Sequence, residues 1–525
     1  MAERFSFGEV NVDVSLGRDK AQYQAEPDAP FRIVILGDFS GRANRGISEA
    51  GAGLANRRAV VLDRDNFDQV LAKLGARIDL PLDDHPLSLR FVELDDFHPD
   101  RIFERVDIFQ KLRGMRQRLD DPETLAEMLR EMRLGPAASR ATEAAKPPTP
   151  RPASADIKHL ASGSVLEQVL AETEGLPEGA GPSRVPDELR AFVQRAVEPH
   201  LVERADPRQA EMMAVLDRAA SAQMRALLHV PDFQALESAW RALFWLVRKV
   251  ETNERLKLYL LDVSKAELTA DLTTAEDLRL TGVYKLLVEK TVGTPGAEPW
   301  AVLAGNYTFE PNRDDARLLG RLAKVARAAG APFLAAASSR VLGCESASEM
   351  PNPRDWKPFA DSEDARAWAA LRHLPEASYV GLALPRFLLR LPYGKSTDRT
   401  EFFDFEEMPQ TPVHEDYLWG NPVFACAFLL AQAFSDYGWE MRPGVYSEIA
   451  GLPLHNYQED EESQVKPCAE VLLTEDAVEQ ILDYGPMPLV SLKGCDAVRL
   501  VRFQSMAEPP TNLAGHWYCR LAIDD

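Results

Sequence analysis

At 525 residues the chain is too long for one ordinary core, and two or three domains are expected. Hydrophobic residues at 45% and charged residues at 27% match soluble globular proteins, which excludes collagen, a disulfide scaffold and wholesale disorder. Lys and Arg number 60 against 82 Asp and Glu, a net charge of −22 that repels phosphate backbones and suits a basic partner surface, so no nucleic-acid partner is expected.

The opening MAERFSFGEVNVDVSLGRDK has no basic stretch followed by an apolar run, so no secretory signal is read there. Within it Val10, Val12, Val14 and Leu16 alternate with polar residues, the period of a half-buried strand. Phe31–Leu36 (FRIVIL) reads as a buried strand ended by Gly37 and Asp38. RRAVVLDRDNFDQVLAKLG predicts a short strand and then a helix capped by Asp63 or Asp65. LSLRFVELDDF alternates as another strand. From Pro99 to about Arg133 the chain reads as helix, with Ile102, Val106, Phe109 and Leu112 at helical spacing. This alternation predicts an α/β (mixed α+β) layer structure for residues 1–135.

Residues 136–185 are rich in Ala, Pro, Ser and Thr, with Pro147, Pro148, Pro150 and Pro152 in close succession. Such a stretch has too few large apolar side chains for a core and reads as a linker. Inside it, GSVLEQVLAETEG forms an amphipathic helical pattern: Ser164 and Glu167 have capping-box spacing, and Val165, Leu166, Val169 and Leu170 share one face. Two readings stay open on the residues alone, a docking peptide for a partner or a helix that folds back on its own domain.

Residues 186–525 begin with helical spacing to Val250 and continue with strand-like runs LKLYLLDV, PWAVLAGNY, APFLAAAS, YVGLALP and MPLVSL between helical pieces. A mixed sheet covered by helices is predicted. The longest apolar runs, such as Phe424 to Ala433, are too short to span a bilayer, so no membrane insertion is expected. Five cysteines, never close in sequence, fit a reducing compartment and a cytoplasmic protein.

Three fragments imitate active sites. LPYGKST carries the Gly-Lys-Ser end of a phosphate loop, but Leu389 stands where a glycine is required. HEDYLW offers His414 with Leu418, not a second His, four residues on. Asp95, Asp96 and Asp100 imitate an acid–base cluster, but Asp96 and Asp100 read as residues of turns and of the helix start near Pro99. No catalytic residue, cofactor site or metal site is expected, and an assembly protein is favoured over an enzyme.

FRIVILGDFSGR, DRDNFDQVLAKL and LDDFHPDRIFERVDIFQKLRGMRQRL resemble, in that order, the small subunit of type VI secretion sheaths, TssB or VipA (ImpB). HVPDFQALESAWRAL, LLDVSKAEL, GVYKLLVEK, GNYTFEP, YVGLALPRFLLRLPYG, HEDYLWGN, GLPLHNY and AEVLLTEDAVEQILDYGPMPLV resemble the large subunit, TssC or VipB (ImpC). The resemblance implies two sheath-like regions, related to phage tail sheaths, fused through the Pro/Ala linker. It implies a bacterial contractile sheath that encloses an Hcp-like inner tube and ejects it by contraction. The implied partners are other sheath subunits, the tube, baseplate components and a ClpV-like AAA+ ATPase. Val165, Leu166, Val169 and Leu170 match the helix that this unfoldase grips, which favours the docking reading. Val10, Val12 and Val14 match the strand exchanged between protomers. After FQSMAEPP the sequence departs from the large subunit's pattern, so its C-terminal core region is expected to be lacking. The alternatives are a non-polymerising cap or assembly regulator of the same system and, from a different class, a nucleotide enzyme built on Gly394–Thr397.

Overall fold

In the computed structural model, residues 7–9, 28–80, 87–120, 207–292, 296, 298–357, 362–459 and 462–517 are described. The chain divides into two units, Met1–Lys111 with Asp217–Asp525, and Leu112–Leu216. The described residues of the second unit belong to two helices, Asp107–Asp120 and Pro207–Leu228. Everything else below concerns the first.

Its strands are β1 (Phe31–Gly37), β2 (Val60–Leu62), β3 (Arg77–Leu80), β4 (Leu87–Arg90), β5 (Leu256–Asp262), β6 (Val302–Phe309), β7 (Phe333–Ala337) and β8 (Val380–Leu384). They continue with β9 (Phe387–Leu388), β10 (Trp419–Gly420), β11 (Glu448–Ala450), β12 (His455–Glu459), β13 (Glu462–Lys466), β14 (Met487–Ser491) and β15 (Ala497–Leu500). One sheet takes nine of them in the order β11-β15-β14-β8-β7-β6-β1-β5-β2. The run from β5 to β14 is parallel, and the pairings of β2, β15 and β11 are antiparallel. The mixed α/β expectation holds.

The apolar run FRIVIL explains where β1 sits. A strand buried on both faces needs apolar side chains at every position, and only Arg32 departs from full burial. Phe31 stacks on Phe434 of the Val423–Tyr437 helix at 4.6 Å, so Ile33 and Ile35 share that face by alternation. Val34 and Leu36 enter the core on the opposite face, with Leu318, Leu319 and Leu322 of the Arg313–Ala329 helix. Arg32 lays its guanidinium over the Trp300 ring at 4.1 Å. In register β1 runs beside β5 from Phe31↔Leu256 to Gly37↔Asp262, and beside β6 from Ile33↔Val302 to Leu36↔Gly305. A strand from the first region thus fills a slot between two strands of the second.

Three local expectations change: of the strand read over LSLRFVELDDF only β4 is strand, and Leu94–Phe97 is a 3-10 turn capped reciprocally by Glu93 and Asp96. The helix Phe67–Leu74 is capped at Asn66, not by Asp63 or Asp65; Asp63 instead accepts the Asp65 and Asn66 amides in a turn. The single helix expected from Pro99 breaks at Val106, which is extended (φ −90, ψ 125) and separates Pro99–Arg105 from Asp107–Asp120. The break buries Val106 and brings Phe103 against Phe109 at 5.5 Å. Residues 121–133 lie outside the described residues.

Candidate functional site

The expected exchange strand (Val10, Val12, Val14) and docking face (Val165, Leu166, Val169, Leu170) lie outside the described residues. What the structure builds is a seam between the first region and the second, dense with buried carboxylates that serve backbone amides and guanidinia across it.

At the C-terminal ends of β1 and β5, Asp262 accepts the Phe39 amide (2.8 Å), the Ser40 amide (3.1 Å) and the Ser40 hydroxyl (2.7 Å). Burial raises the Asp262 pKa above the ordinary carboxylate value, and Asp38 adds to the rise. Next to it, the fully buried Glu267 caps the Lys265–Thr274 helix reciprocally with Ser264. Glu267 also pairs with Arg42 and Arg57 and accepts the Glu49 amide. Asp271, one turn on, accepts the Gly51 amide from the first region and the Gly282 and Val283 amides from the second. At the far end, the Asp100 carboxylate accepts the Glu401 amide at 3.0 Å, and Phe103 stacks on Phe403 at 4.6 Å. The Trp240 indole donates to the Phe39 carbonyl at 2.8 Å, and Phe91 and Phe97 pack on Phe233. Asp96 serves its own loop, accepting the Val92 and Glu93 amides, and pairs with Arg105.

A second buried network ties the Pro231–Lys249 helix to the segment holding LPYGKST. Arg390 lies between Glu237 (Nε to Oε1 2.8 Å) and Glu407 (Nη1 to Oε2 2.7 Å), with its guanidinium 4.2 Å from the Tyr393 ring centre. Arg241 pairs with Glu237 and donates to the Tyr393 hydroxyl; His229 stands 3.6 Å from Glu407 and 3.3 Å from Asp416. This geometry also accounts for the imitation phosphate loop. The Lys395 amide donates to Glu406, the Gly394 amide donates to the Asp398 carbonyl, and Lys395 Nζ pairs with Asp404 at 2.7 Å. A Cβ on Gly394 would meet Glu406 Oε2, so the end of a carboxylate of the chain itself fills the space beside this glycine.

HEDYLW forms no zinc-protease helix: His414–Asp416 is a single 3-10 turn and Trp419–Gly420 is β10. His414, Glu415 and Glu470 do bring ligand atoms within 4.8 Å of one another. Arg386 pairs with Glu470, and Lys466 Nζ lies 2.7 Å from His414 Nδ1, so cationic side chains of the chain take the place a metal would.

Burial opposes ionisation of Glu267, Glu407 and Glu470, yet their Arg, His and backbone partners outweigh it and hold each pKa down at about 2. A depressed folded-state pKa contributes stability that is whole above the ordinary carboxylate pKa and is lost as pH falls through the folded value. The expected result is a native state little changed down to about pH 4.5 that loses several kcal/mol between there and pH 2. Urea midpoints across that range check it; a flat profile would show that these pairs contribute nothing to stability.

Sequence reading missed the seam carboxylates. Asp262, Glu267 and Asp271 look like the solvated faces of a helix or a strand end, as does Glu237 of the second network. The available signal was their place inside apolar runs, as in LKLYLLDV for Asp262.

The chain matches the VipA family of type VI secretion systems over residues 9–134, and VipB, the tail sheath N-terminal domain, over residues 210–507. It is 38% identical over 307 residues to the type VI secretion system sheath protein TssC1 of Pseudomonas aeruginosa, covering 57% of this chain and 61% of that relative. The chain therefore spans less than two thirds of the length of this curated relative.

Proposed function

The chain belongs to the type VI secretion sheath family, and from that premise we propose that it is a fused building block of the contractile sheath, enclosing an Hcp-like tube and driving it outward without catalysing a reaction. The observation that carries the reading is β1, an interior strand of a VipB-type sheet, arriving from the VipA-type region. Two subunit types folded into one sheet make a rigid block suited to stacking and to transmitting force. Its partners on this reading are neighbouring sheath subunits, the inner tube, baseplate components and a ClpV-like ATPase that recycles the contracted state in the bacterial cytoplasm. Among the described residues no helix is long and apolar enough to cross a membrane.

The test is electron microscopy of the purified chain, alone and with inner-tube protein. Sheath-like tubes support the reading, and Val12→Pro is expected to block their growth because proline removes a ladder donor and fixes φ. Absence of tubes under both conditions would favour a non-polymerising cap or regulator. The face of Val165, Leu166, Val169 and Leu170 is expected to bind the unfoldase N-terminal domain, with Leu166→Asp plus Leu170→Asp costing several kcal/mol. Equal binding of a peptide and its double variant in a titration would remove that assignment. ATP turnover is expected to be absent; saturable turnover abolished by Lys395→Ala would restore the enzyme reading.

A further inference from the structure

The start of the described chain is held in an unexpected place. Phe7 is only 8% exposed and lies against the middle of the Arg313–Ala329 helix, where Gly320 occupies the contact position. The three atoms nearest to a Cβ built on Gly320 all belong to the Phe7 ring, and all three would overlap it. Glycine is a poor helix residue, so its presence in mid-helix calls for a packing reason, and the ring supplies one. Gly8 turns the backbone with φ +74, and its carbonyl accepts from Lys324 Nζ. Glu9 then makes a short parallel bridge with the 276–278 segment: its amide donates to the Glu276 carbonyl (2.9 Å), and its carbonyl accepts the Leu278 amide (3.0 Å). The groove thus has an aromatic slot floored by glycine, a cation for one carbonyl and a strand edge for the next residue. That is how extended peptides are recognised.

We propose that Phe7–Gly8–Glu9 is a self-ligand that clips the chain to this groove, so that Glu9 and Ala29 are both held on one protomer as the two anchors of a leash. The other end is fixed where the Trp439 indole donates to the Ala29 carbonyl (2.8 Å) and β1 enters the sheet. The use of that leash rests on the strand-exchange reading above: Val10, Val12 and Val14 would be offered to a neighbouring copy while the anchors at Glu9 and Ala29 stay on their own protomer. The clip itself does not depend on that reading.

Three variants and one mixing experiment test it on the full chain. Phe7→Ala is expected to speed amide hydrogen exchange at Glu9 and Leu278 at least ten-fold, leaving β1 protection unchanged. Gly320→Ala in the wild-type chain is expected to produce the same local loss, because the new methyl takes the slot. Combined with Phe7→Ala, the same substitution should instead raise the melting temperature by about 2 °C, since alanine favours the helix once the ring is gone. A sign that does not reverse would overturn the clip. For the leash, Glu9→Cys and Asp277→Cys are placed in one chain or divided between two tagged chains, with Cys495 and Cys519 replaced by serine. Bridging by a short bis-maleimide is expected only within one chain, before and after assembly. Bridging between tagged chains would show an exchanged anchor and overturn the leash. Tubes insensitive to Val12→Pro with an intact clip would sink the strand-exchange reading alone. Tubes blocked by Val12→Pro with no sign reversal would sink the clip alone.

Discussion

Replacing Arg390 with methionine is expected to lower the unfolding free energy by about 3–5 kcal/mol, the cost of leaving buried charges unpaired. Arg390 is surrounded by Glu237 and Glu407, whose side chains are 0% and 1% exposed. Burial would suppress its charge, but the two carboxylates hold its pKa well above the ordinary guanidinium value. Without it, among the described residues, Glu407 keeps the Tyr393 amide and the more distant His229, and Glu237 keeps Arg241. Methionine fills most of the volume, so the loss is electrostatic and not a cavity effect. The control is the pair Arg390→Met with Glu407→Gln, expected to cost clearly less than the sum of the single changes because the two side chains act as one unit. Urea unfolding of the single and double variants decides it. An Arg390→Met chain within about 1 kcal/mol of wild type would mean that water reaches this network and screens it.

Local pattern carried much of the fold into view and none of the pairing. FRIVIL reads as a doubly buried strand because nearly every position is apolar, and it is one. Nothing local says that it lies between β5 and β6, more than two hundred residues away, since periodicity reports which faces are covered and not by what. Val106 carries helical spacing and nonetheless ends a helix, because burying it beside Phe103 and Phe109 outweighs the local preference. The imitation phosphate loop fails in the sequence at Leu389; the structure adds a physical reason, the Glu406 carboxylate already seated on the Lys395 amide. Phe7 belongs to no motif. FSFGEV reads as the start of an alternating strand, whereas Gly8 turns the backbone and the Phe7 ring settles onto Gly320. The isolated glycine in RDDARLLGRLAKVARAAG was the one legible sign of that contact.

Cutting the linker is expected not to separate the two regions. A protease site inserted between Pro150 and Arg151 should give, after cleavage, two fragments that elute together and part only in denaturant. The reason is the position of β1. Phe31, Ile33, Val34, Ile35 and Leu36 are each at most 1% exposed. Burial of such side chains is worth ~1.5–3 kcal/mol apiece, so withdrawing the strand would expose apolar surface worth on the order of 10 kcal/mol. That equals the whole stability of an ordinary domain. It would also strip β5 and β6 of a ladder partner inside the sheet, where water cannot replace the lost hydrogen bonds without opening the core. Residues 186–525 made alone are therefore expected to be insoluble or to lack cooperative unfolding, and co-expression with residues 1–135 should restore a single soluble species. Circular dichroism and thermal melts of the two preparations distinguish the cases. A monodisperse 186–525 fragment with a cooperative melt would show that β5 and β6 close up without β1. In that event the linker, and not the seam, would be what keeps the first region in place.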